Sequence, residues 1–308
     1  MNRESIVHRI GVDLGGTKIE AALIDPSGAI VRRERIDSPS GDYDATLRAI
    51  RSLVLAIEAG HPRKCPVGVG MPGALSPTDG LVKNANSTWL IGRPLDRDLA
   101  QILDRPVRLA NDADCFALSE ATDGAGSGAP TVFGVILGTG VGGGVVVHGR
   151  LLSGPNAIAG EWGHSPLPWP RDEERPGPLC YCMKHGCLET FLSGPGFARD
   201  YARESGEPAA PTEIARRAEQ GDRVAESAMQ RYEDRLARGL ATVINLLDPH
   251  TIVLGGGLGR IERLYRTVPA TWGRYVFSDT VTTRLVPPRH GDSSGVRGAA
   301  WLWPAVPE

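Results

Sequence analysis

Short runs of apolar residues recur along this 308-residue chain, and a tight turn or a helical pattern follows most of them. Residues 9–13, 19–24 and 29–36 predict three strands, because each apolar run is bounded by turn residues such as Asp25-Pro26-Ser27-Gly28. From about Asp44, apolar residues recur at the spacing of one helix face. This alternation of strands and amphipathic helices predicts an α/β fold.

The following segment continues the alternation. Residues 67–71 predict a buried strand, and Asp96 is expected to cap a short helix. A strand over residues 107–110 then leads into a helix opened by Asn111 and Asp112. A lone aspartate at such a junction is often only a helix N-cap, so this position alone does not establish chemistry.

The same pattern restarts in the second half of the chain. Two strands, 131–137 and 145–148, flank a glycine-rich turn, and residues 133–140 resemble residues 10–17. Two hairpins with glycine-rich tips, each opening one half, predict two similar lobes. A long helix follows, and it is expected to end at Asp248-Pro249. The apolar stripe of this helix comprises Met229, Tyr232, Leu236, Leu240, Val243 and Leu247.

Composition and charge exclude several classes of protein. The net charge is −2, the pI is near 6.4 and no basic stripe occurs, so neither nucleic acid nor an anionic membrane is an expected partner. No apolar run approaches the ~20 residues of a membrane span, and the first residues lack the apolar core of a signal peptide. Because Cys65 and Cys115 stand alone in apolar surroundings, we expect buried thiols and a reducing cytoplasm.

A metal site is predicted by the remaining three cysteines. Cys180, Cys182 and Cys187 lie within eight residues, and histidines occur both upstream, at His164, and inside the cluster, at His185. Thiolates and one imidazole are the ligands of a closed tetrahedral zinc site. The spacing therefore predicts a bound zinc ion, with either histidine as the fourth ligand.

Three glycine-rich turns predict a phosphate-binding function. They are residues 11–18, residues 138–145 and Gly255-Gly256-Gly257, and turns of this kind let backbone N–H groups approach an anion closely. Within the first turn, Asp13 offers a carboxylate for Mg²⁺. Residues 138–143 match the dinucleotide-binding fingerprint, but a strand follows them where that fingerprint requires a helix. The three turns together indicate a nucleotide split between lobes.

The motifs taken together resemble the ROK (repressor, open reading frame, kinase) family over nearly the whole chain, and within it the bacterial fructokinases. The motifs are Asp13-Leu-Gly-Gly-Thr-Lys18, Gly70-Met-Pro-Gly73, Asn111-Asp112, Gly138-Thr-Gly140, Glu161-x-x-His164, the three clustered cysteines and Leu254-Gly-Gly-Gly257. The fructokinase likeness lies in residues 82–90, 160–169 and 290–303. One departure is Met183, which stands where the family usually has glycine; a positive φ there would strain methionine.

The resemblance implies a fold and a set of site residues. The fold is a pair of ribonuclease-H-like lobes of the actin/Hsp70/hexokinase type with a cleft between them, expected at residues 1–121 and 122–308, with the zinc-binding segment 164–187 inserted in the second and the C-terminal helix packed on the first. Asp112 matches the general base. The matching sugar-contacting positions are Gly73, Asn86, Asn111, Asp112, Glu161, His164 and Glu189. The matching zinc ligands are His164, Cys180, Cys182 and Cys187. The matching nucleotide positions are Gly11, Asp13, Gly15, Gly16, Thr17, Lys18, Gly138, Thr139, Gly140, Gly142, Gly143, Gly144, Gly255, Gly256 and Gly257.

The implied activity is transfer of phosphate from ATP, with Mg²⁺, to the C6 hydroxyl of a hexose. D-fructose is the expected substrate, and glucose, mannose or N-acetylglucosamine is the alternative. The family implies a homodimer and a structural zinc. A sugar-responsive repressor of the same family would need a DNA-binding domain, whereas only about eight residues precede the first predicted strand.

Overall fold

A computed structural model describes residues 8–304 of the chain. Residues 1–7, on which the predictions about a signal peptide and a preceding domain rest, lie outside this range. The strands are β1 (Arg9–Leu14), β2 (Lys18–Ile24), β3 (Ile30–Asp37), β4 (Val67–Met71), β5 (Ala74–Leu75), β6 (Val82–Lys83), β7 (Val107–Asn111), β8 (Thr131–Leu137), β9 (Val141–Val147), β10 (Arg150–Leu151), β11 (Thr251–Gly255) and β12 (Arg284–Val286). The α-helices are α1 (Tyr43–Glu58), α2 (Leu95–Leu103), α3 (Asp112–Thr122), α4 (Leu188–Leu192), α5 (Gly194–Ser205), α6 (Pro211–Glu219), α7 (Arg223–Leu247), α8 (Leu264–Trp272) and α9 (Ser294–Trp301).

The strands form two five-stranded sheets of the same topology and one short hairpin. The first sheet has the order β3-β2-β1-β4-β7, and the second has the order β10-β9-β8-β11-β12. In each, an antiparallel hairpin (β1 with β2, β8 with β9) adjoins strands that run parallel to its first member. The α/β class and the repeated glycine-tipped hairpins predicted from the sequence are therefore confirmed.

The chain separates into two compact units. One contains the residues up to Ser127, the segment Arg150–Ala159 and the residues from His290 onwards, and the other contains Gly128–Gly149 and Gly160–Arg289. The first unit thus also contains two later segments of the chain. The sequence predicted a division after residue 121 and the return of the C-terminal helix to the first lobe, but not the return of Arg150–Ala159. The division after residue 121 stays a prediction, and in the structure the chain first leaves this unit after Ser127.

In the first unit, the C-terminal helix α9 lies directly on β1 and β4. A Cβ atom added to Gly11 would lie 1.9 Å from the carbonyl oxygen of Val296, and one added to Gly68 would lie 1.8 Å from that of Ala299. Any side chain at either position would therefore push the helix away. The two glycines explain why a helix nearly 300 residues along the chain belongs to this unit.

In the second unit, α7 packs against α4, α5, α6 and α8. Five of the six residues in its predicted apolar stripe are buried, but Leu247, at the last position of the helix, is 37% exposed. The helix ends at the C-cap Asp248, which has a left-handed conformation, as the following proline requires the chain to leave the helix.

One local prediction about helix capping is corrected. The N-cap of α2 is Pro94, and Asp96 lies in the first turn, where a carboxylate is still favoured by the helix dipole.

No helix within residues 8–304 combines the length and the apolar composition that crossing a membrane requires.

Candidate active site and metal centre

The proposed base, Asp112, is the first residue of α3, immediately after β7. The N-cap is the preceding residue, Asn111, whose side-chain oxygen accepts a hydrogen bond from the Ala113 N–H at 2.8 Å. Capping is therefore not the main role of Asp112, although its Oδ1 accepts from the same N–H at 2.8 Å. Its place in the first turn favours the charged carboxylate, because the positive end of the helix dipole lies there.

Two of the predicted sugar-contacting residues lie together beside this helix start. The Asn111 side-chain amide donates to the carbonyl oxygen of Gly73 at 3.0 Å. Gly73 has a φ of +77°, and a Cβ atom there would lie 2.3 Å from the Lys83 carbonyl oxygen, so only glycine fits. Asn86 follows the same segment and is exposed. The structure thus groups Gly73, Asn111 and Asp112 and places Asn86 on an adjacent segment.

Asp13 is electrostatically coupled to Asp112. Burial first, and then the charges of Asp112 and Glu20, raise the pKa of the Asp13 carboxyl to about 6 against the opposing effect of Arg35. Two carboxylates that repel one another are stabilised by a shared cation, and oxygen ligands are those that Mg²⁺ prefers. The donor set therefore fits the magnesium ion predicted at Asp13.

The tip of the first hairpin is exposed and tightly closed. The Gly15 N–H donates to the Lys18 carbonyl at 3.0 Å across the tip. The carbonyl oxygens of Gly16 and Thr17 accept hydrogen bonds from the Ser40 hydroxyl and the Ser38 N–H. These carbonyls are thereby held on the protein side of the turn. The tip positions stay candidates for phosphate binding, but Gly11, which α9 covers, does not.

The second hairpin tip borders a cavity of about 540 Å³ in the second unit. Gly138 and Thr139 line it on one side, and Gly257 and Leu258 line it on another. Gly256 has a φ of +77°, and a Cβ atom there would lie 2.3 Å from the Leu137 carbonyl oxygen. Glycine at this position therefore lets the turn after β11 lie against the end of β8. Two of the three predicted glycine turns converge on one cavity.

The remaining walls of this cavity were missed by sequence reasoning. They come from the beginnings of α5 and α6, each of which has proline in its first turn. The residues are Gly194, Pro195, Ala198, Ala209, Ala210, Pro211 and Thr212. The Gly194 N–H donates to the Gly138 carbonyl at 2.8 Å, which ties α5 to the glycine tip. Proline at two helix starts was the only sequence signal, and it is too common to be diagnostic.

Gly142, Gly143 and Gly144 lie within β9 rather than at the tip. A Cβ atom on Gly143 would lie 2.9 Å from the Gly160 carbonyl oxygen and 2.9 Å from the Trp162 ring. The prediction that these glycines contact the nucleotide overlooked this packing function. Gly143 lets the segment that carries Glu161 and His164 lie directly on the strand, where the Trp162 indole N–H donates to the Gly142 carbonyl at 3.0 Å.

The four predicted zinc ligands come together. One ligand atom from each of His164, Cys180, Cys182 and Cys187 lies within 4.8 Å of all the others, and the Sγ atoms of Cys182 and Cys187 are 3.5 Å apart. Tetrahedral ligands at zinc-bond distances of about 2.0–2.3 Å lie roughly 3.3–3.8 Å from one another. Burial and, to a lesser extent, the neighbouring thiols raise the pKa of Cys187 to about 12. A raised pKa means that the thiolate form is unfavourable here unless a cation stabilises it. The donor set of three sulfur atoms and one imidazole fits zinc.

The rival histidine is engaged elsewhere. His185 Nδ1 lies 3.0 Å from the Gly177 carbonyl oxygen and is not part of the four-residue group. His164 Nδ1 lies 3.6 Å from the Cys180 Sγ, which identifies it as the nitrogen that faces the sulfur atoms. Met183, which stands where the family usually has glycine, has a φ of +66°. Its backbone is therefore in the left-handed region, which strains a residue with a side chain.

A residue that sequence reasoning did not single out lies on the other side of His164. Tyr181 places its hydroxyl oxygen 2.8 Å from His164 Nε2, and the two rings meet edge to face at 5.0 Å. Desolvation of the phenol, together with the nearby charges of Glu189 and Glu161, raises the pKa of Tyr181 to about 12. The position lies between two cysteine ligands, a context in which its own chemistry is easily overlooked.

Glu189 links the predicted sugar-binding and nucleotide-binding residues of the second unit. Its Oε2 atom accepts a hydrogen bond from the Val141 N–H at 2.9 Å, directly after the Gly138–Gly140 turn. A Cβ atom on Gly140 would lie 2.8 Å from the same oxygen. Because Cys187 is the N-cap of α4 and Glu189 lies in its first turn, the metal cluster and this carboxylate share one short helix.

Comparison with known proteins gives one family. The sequence model of the ROK family matches residues 9–306. The chain is similar to N-acetyl-D-glucosamine kinase from Yersinia pseudotuberculosis, at 38% identity over 296 residues that cover 95% of this chain and 97% of that protein. It is similar in structure to the ROK hexokinase from Thermus thermophilus, with 30% identity, a TM-score of 0.84 and coverage of 95% and 96%. A ROK family glucokinase from Streptomyces griseus, solved with glucose and AMPPNP, matches with 28% identity, a TM-score of 0.77 and coverage of 96% and 98%.

Proposed function

We propose that this chain, which belongs to the ROK family, is a kinase that transfers the γ-phosphate of ATP to a hexose. The observation that carries the proposal is the hydrogen bond from Val141 N–H to Glu189, at 2.9 Å. It joins the turn that borders the 540 Å³ cavity to the carboxylate beside the metal ligands. A cavity of that size suits an adenosine group. A movement of Glu189 on sugar binding would therefore also move the turn that is assigned to the phosphates.

Asp112 is proposed as the general base. As the hexose C6 oxygen bonds to the γ-phosphorus, the hydroxyl proton passes to the Asp112 carboxylate, and the bond from the γ-phosphorus to the bridging oxygen breaks to release ADP. Asn111 is held by Gly73 and Ala113, so the base is preceded by a residue of fixed orientation. Mg²⁺, when bound near Asp13 with the nucleotide, supplies neutralising charge for the phosphates.

The zinc site is proposed to be structural, with His164, Cys180, Cys182 and Cys187 as its ligands. Four protein ligands leave no open coordination position for chemistry. Its function would be to hold Glu161 and Glu189, which flank the ligands, at the sugar. Carboxylates suit this task because each can accept hydrogen bonds from two hydroxyl groups.

N-acetyl-D-glucosamine is the first candidate for the hexose. The relatives of 38–39% identity over 296 residues are N-acetyl-D-glucosamine kinases, which favours the alternative over the fructose expected from the sequence. Fructose is the second candidate, because residues 82–90, 160–169 and 290–303 resemble fructokinases. Discrimination between hexoses depends on a few contacts in the pocket.

The test is an ADP-release assay over a panel of N-acetyl-D-glucosamine, D-fructose, D-glucose and D-mannose. Purified protein should turn over at least one of these sugars with Mg²⁺ and ATP. The variant Asp112→Asn should lose at least about 10²-fold in kcat while its sugar affinity changes little, since a base acts mainly in the transition state. Asp114→Asn, two residues along the same helix, is the matched control and should stay active.

The outcomes separate the alternatives. Fastest turnover of fructose would replace the first candidate by the second and keep the kinase proposal. Sugar binding without ADP release by the wild type would refute the kinase proposal and favour a regulatory protein of the family. Near-normal turnover by Asp112→Asn would refute the assignment of the base alone. The predicted homodimer is tested separately by light scattering after size-exclusion chromatography.

A further inference from the structure

A second cavity, of about 460 Å³, lies in the second unit, and none of its lining residues is assigned above to the sugar, the nucleotide or the metal. Its walls come from residues 173–178 and from the helices α4, α5 and α7. The buried Arg235 forms part of the wall: its guanidinium lies 5.1 Å from the centre of the Phe191 ring, and its Nε donates to Glu174 Oε1 at 2.8 Å. The volume is within the range of sites that hold small molecules.

The charged residues of the lining are mostly arginines. Four arginines and three carboxylates line the cavity, namely Arg175, Arg199, Arg203 and Arg235 with Glu173, Glu174 and Asp200. Glu174 is already neutralised by Arg235 and Arg238 of α7. Asp200 is neutralised in the same way by Arg231 and Arg235, at 2.8 and 3.1 Å. The charges of these two carboxylates are therefore satisfied without the other three lining arginines.

Two of those three arginines have no strong ionic partner. Among the residues that the structure describes, Arg199 has no ion-pair partner, and its Nη2 donates to the Thr190 carbonyl oxygen at 3.2 Å. Arg175 is 3.8 Å from Asp172, whose carboxylate is fully exposed to solvent. An exposed pair at that distance is strongly screened and contributes little. Both guanidinium groups are therefore available to an anion.

The third arginine adds to this positive charge. Arg203 is 3.4 Å from Asp200, which the arginines of α7 already neutralise. Opposing these three exposed arginines is Glu173, an exposed acidic residue of the lining. Three positive charges and one negative charge thus surround the opening of the cavity, and this balance favours an anionic ligand.

We propose that this cavity is a binding site for a phosphate monoester of a small metabolite. Arg199 and Arg203 are four residues apart on α5 and share one helix face, so both can bind the same phosphate group, with Arg175 from residues 173–178. Guanidinium groups match phosphate oxygens with two parallel N–H donors. The apolar surfaces of Pro176 and Phe191 suit the carbon skeleton of the ester.

The cavity shares elements with the proposed sugar and nucleotide sites. Thr190 and Phe191 of its lining follow Glu189 on α4. Helix α5 lines this cavity with Arg199 and the 540 Å³ cavity with Ala198. A ligand that joins α5 to residues 173–178 should therefore also change the affinity for the sugar. This coupling rests on the proposed function, whereas the binding site itself does not.

The test is isothermal titration of the zinc-loaded protein with inorganic phosphate, glycerol 3-phosphate and D-glucose 6-phosphate. At least one ester should bind more tightly than inorganic phosphate. Arg199→Gln should weaken that binding at least about 10-fold, because a charge-assisted contact is lost, and Arg199→Lys should weaken it less. Arg199 is not part of the proposed active site, so the difference between wild type and Arg199→Gln reports on this cavity alone.

Arg266→Gln is the matched control, because Arg266 is an exposed arginine of α8 in the same unit and does not line the cavity. It should bind each probe as the wild type does. The thermal midpoint of each variant is measured in parallel, and it should stay unchanged because both arginines are exposed.

A second measurement tests the coupling. The KM for the preferred sugar is determined with and without saturating glycerol 3-phosphate, which carries no hexose. The KM should change about fivefold or more in the wild type and should not change in Arg199→Gln. An unchanged KM in the wild type would overturn the coupling.

Three binding results would overturn the proposed site. One is that no probe binds at millimolar concentration. Another is that Arg199→Gln binds the esters as the wild type does, or that Arg266→Gln weakens them equally, which would show general attraction to surface charge. The third is equal affinity for inorganic phosphate and both esters, which would assign the cavity to free phosphate. A wild type that phosphorylates no sugar would instead refute the proposed function, and binding that depends on Arg199 would still support the site.

Discussion

The segment between His164 and Cys180 is rich in proline and charge, and one buried carboxylate anchors it to α7. Glu174 has a side chain that is only 3% exposed. Its two oxygens accept hydrogen bonds from Arg235 and from both Nη atoms of Arg238, each at 2.8 Å, and from the Arg171 N–H at 2.9 Å. Because this segment joins two of the proposed zinc ligands, its anchoring bears on the metal site. We expect Glu174→Gln, which keeps the shape and removes the charge, to destabilise the protein strongly.

The size of the effect follows from the pKa of the carboxyl. Burial acts to raise the pKa of Glu174, but the hydrogen bonds from Arg238, Arg235 and the Arg171 N–H outweigh it and lower the pKa from 4.5 to about 2. At about 1.4 kcal/mol for each tenfold change, this corresponds to roughly 3 kcal/mol of stability at neutral pH. Removing one partner of a buried ion pair costs about 3–5 kcal/mol, which agrees.

The sign of the pH dependence is fixed by the lowered pKa. The folded-state pKa lies below the unfolded value, so the stabilisation is present above about pH 4.5 and is lost as the pH falls from 4.5 towards 2. Urea unfolding followed by circular dichroism at pH 7, 5, 4 and 3 measures it. The difference between wild type and Glu174→Gln should be largest at pH 7 and should shrink steadily below pH 4.5.

Glu213→Gln is the control, because Glu213 also pairs with two arginines and also has a pKa lowered to about 2, but it lies at the solvent-exposed surface of α6. Solvent screening should make its substitution nearly neutral. A loss below about 1 kcal/mol for Glu174→Gln at pH 7 would refute the reasoning, given the 3–5 kcal/mol expected for a broken buried pair. A loss that is the same at pH 7 and pH 3 would refute it as well.

Two further predictions concern the metal site. Met183→Gly should raise the stability of the zinc-loaded protein by roughly 0.5 kcal/mol in urea unfolding, because relief of the left-handed φ of +66° outweighs the entropy that glycine costs. Lys184→Gly is the control; it lacks a positive φ and should destabilise, and equal effects of the two would contradict the strain argument. Removal of zinc with 1,10-phenanthroline should lower both the thermal midpoint and the sugar affinity, because the cluster and Glu189 share α4. If both quantities stayed unchanged at confirmed zinc loss, the structural role of the metal would be wrong.

Much of the candidate site followed from local patterns in the sequence. Four zinc ligands were identified by ligand type and family pattern, and the structure brings them within 4.8 Å. The glycine-tipped hairpins and the long helix ending at Asp248 were identified by periodicity and turn chemistry. These features are readable because each depends on residues close to one another in the chain, where side-chain spacing alone determines which groups share a face or a turn.

The functions of individual glycines were not readable in the same way. Gly11 and Gly143 were assigned to the nucleotide on their motifs, but α9 covers the first, and the second makes room for Gly160 and Trp162. The lack of a Cβ atom allows close approach of a ligand, and it allows close approach of another backbone segment equally well. Only the segment that approaches each glycine decides between the two. For Gly11 that segment is the C-terminal helix α9, and for Gly143 it is the segment that carries Gly160 and Trp162.

The sequence by itself therefore determined the class of fold, the strands and helices, and the residue types that bind metal, because periodicity and ligand chemistry are local properties. The tertiary structure decided which of these meet: the hydrogen bond of Glu189 to Val141, the cavity walls from α5 and α6, and the hydroxyl of Tyr181 on His164. Contacts of this kind join separate segments of the chain. The packing of the whole core, rather than any one segment, determines which segments come together.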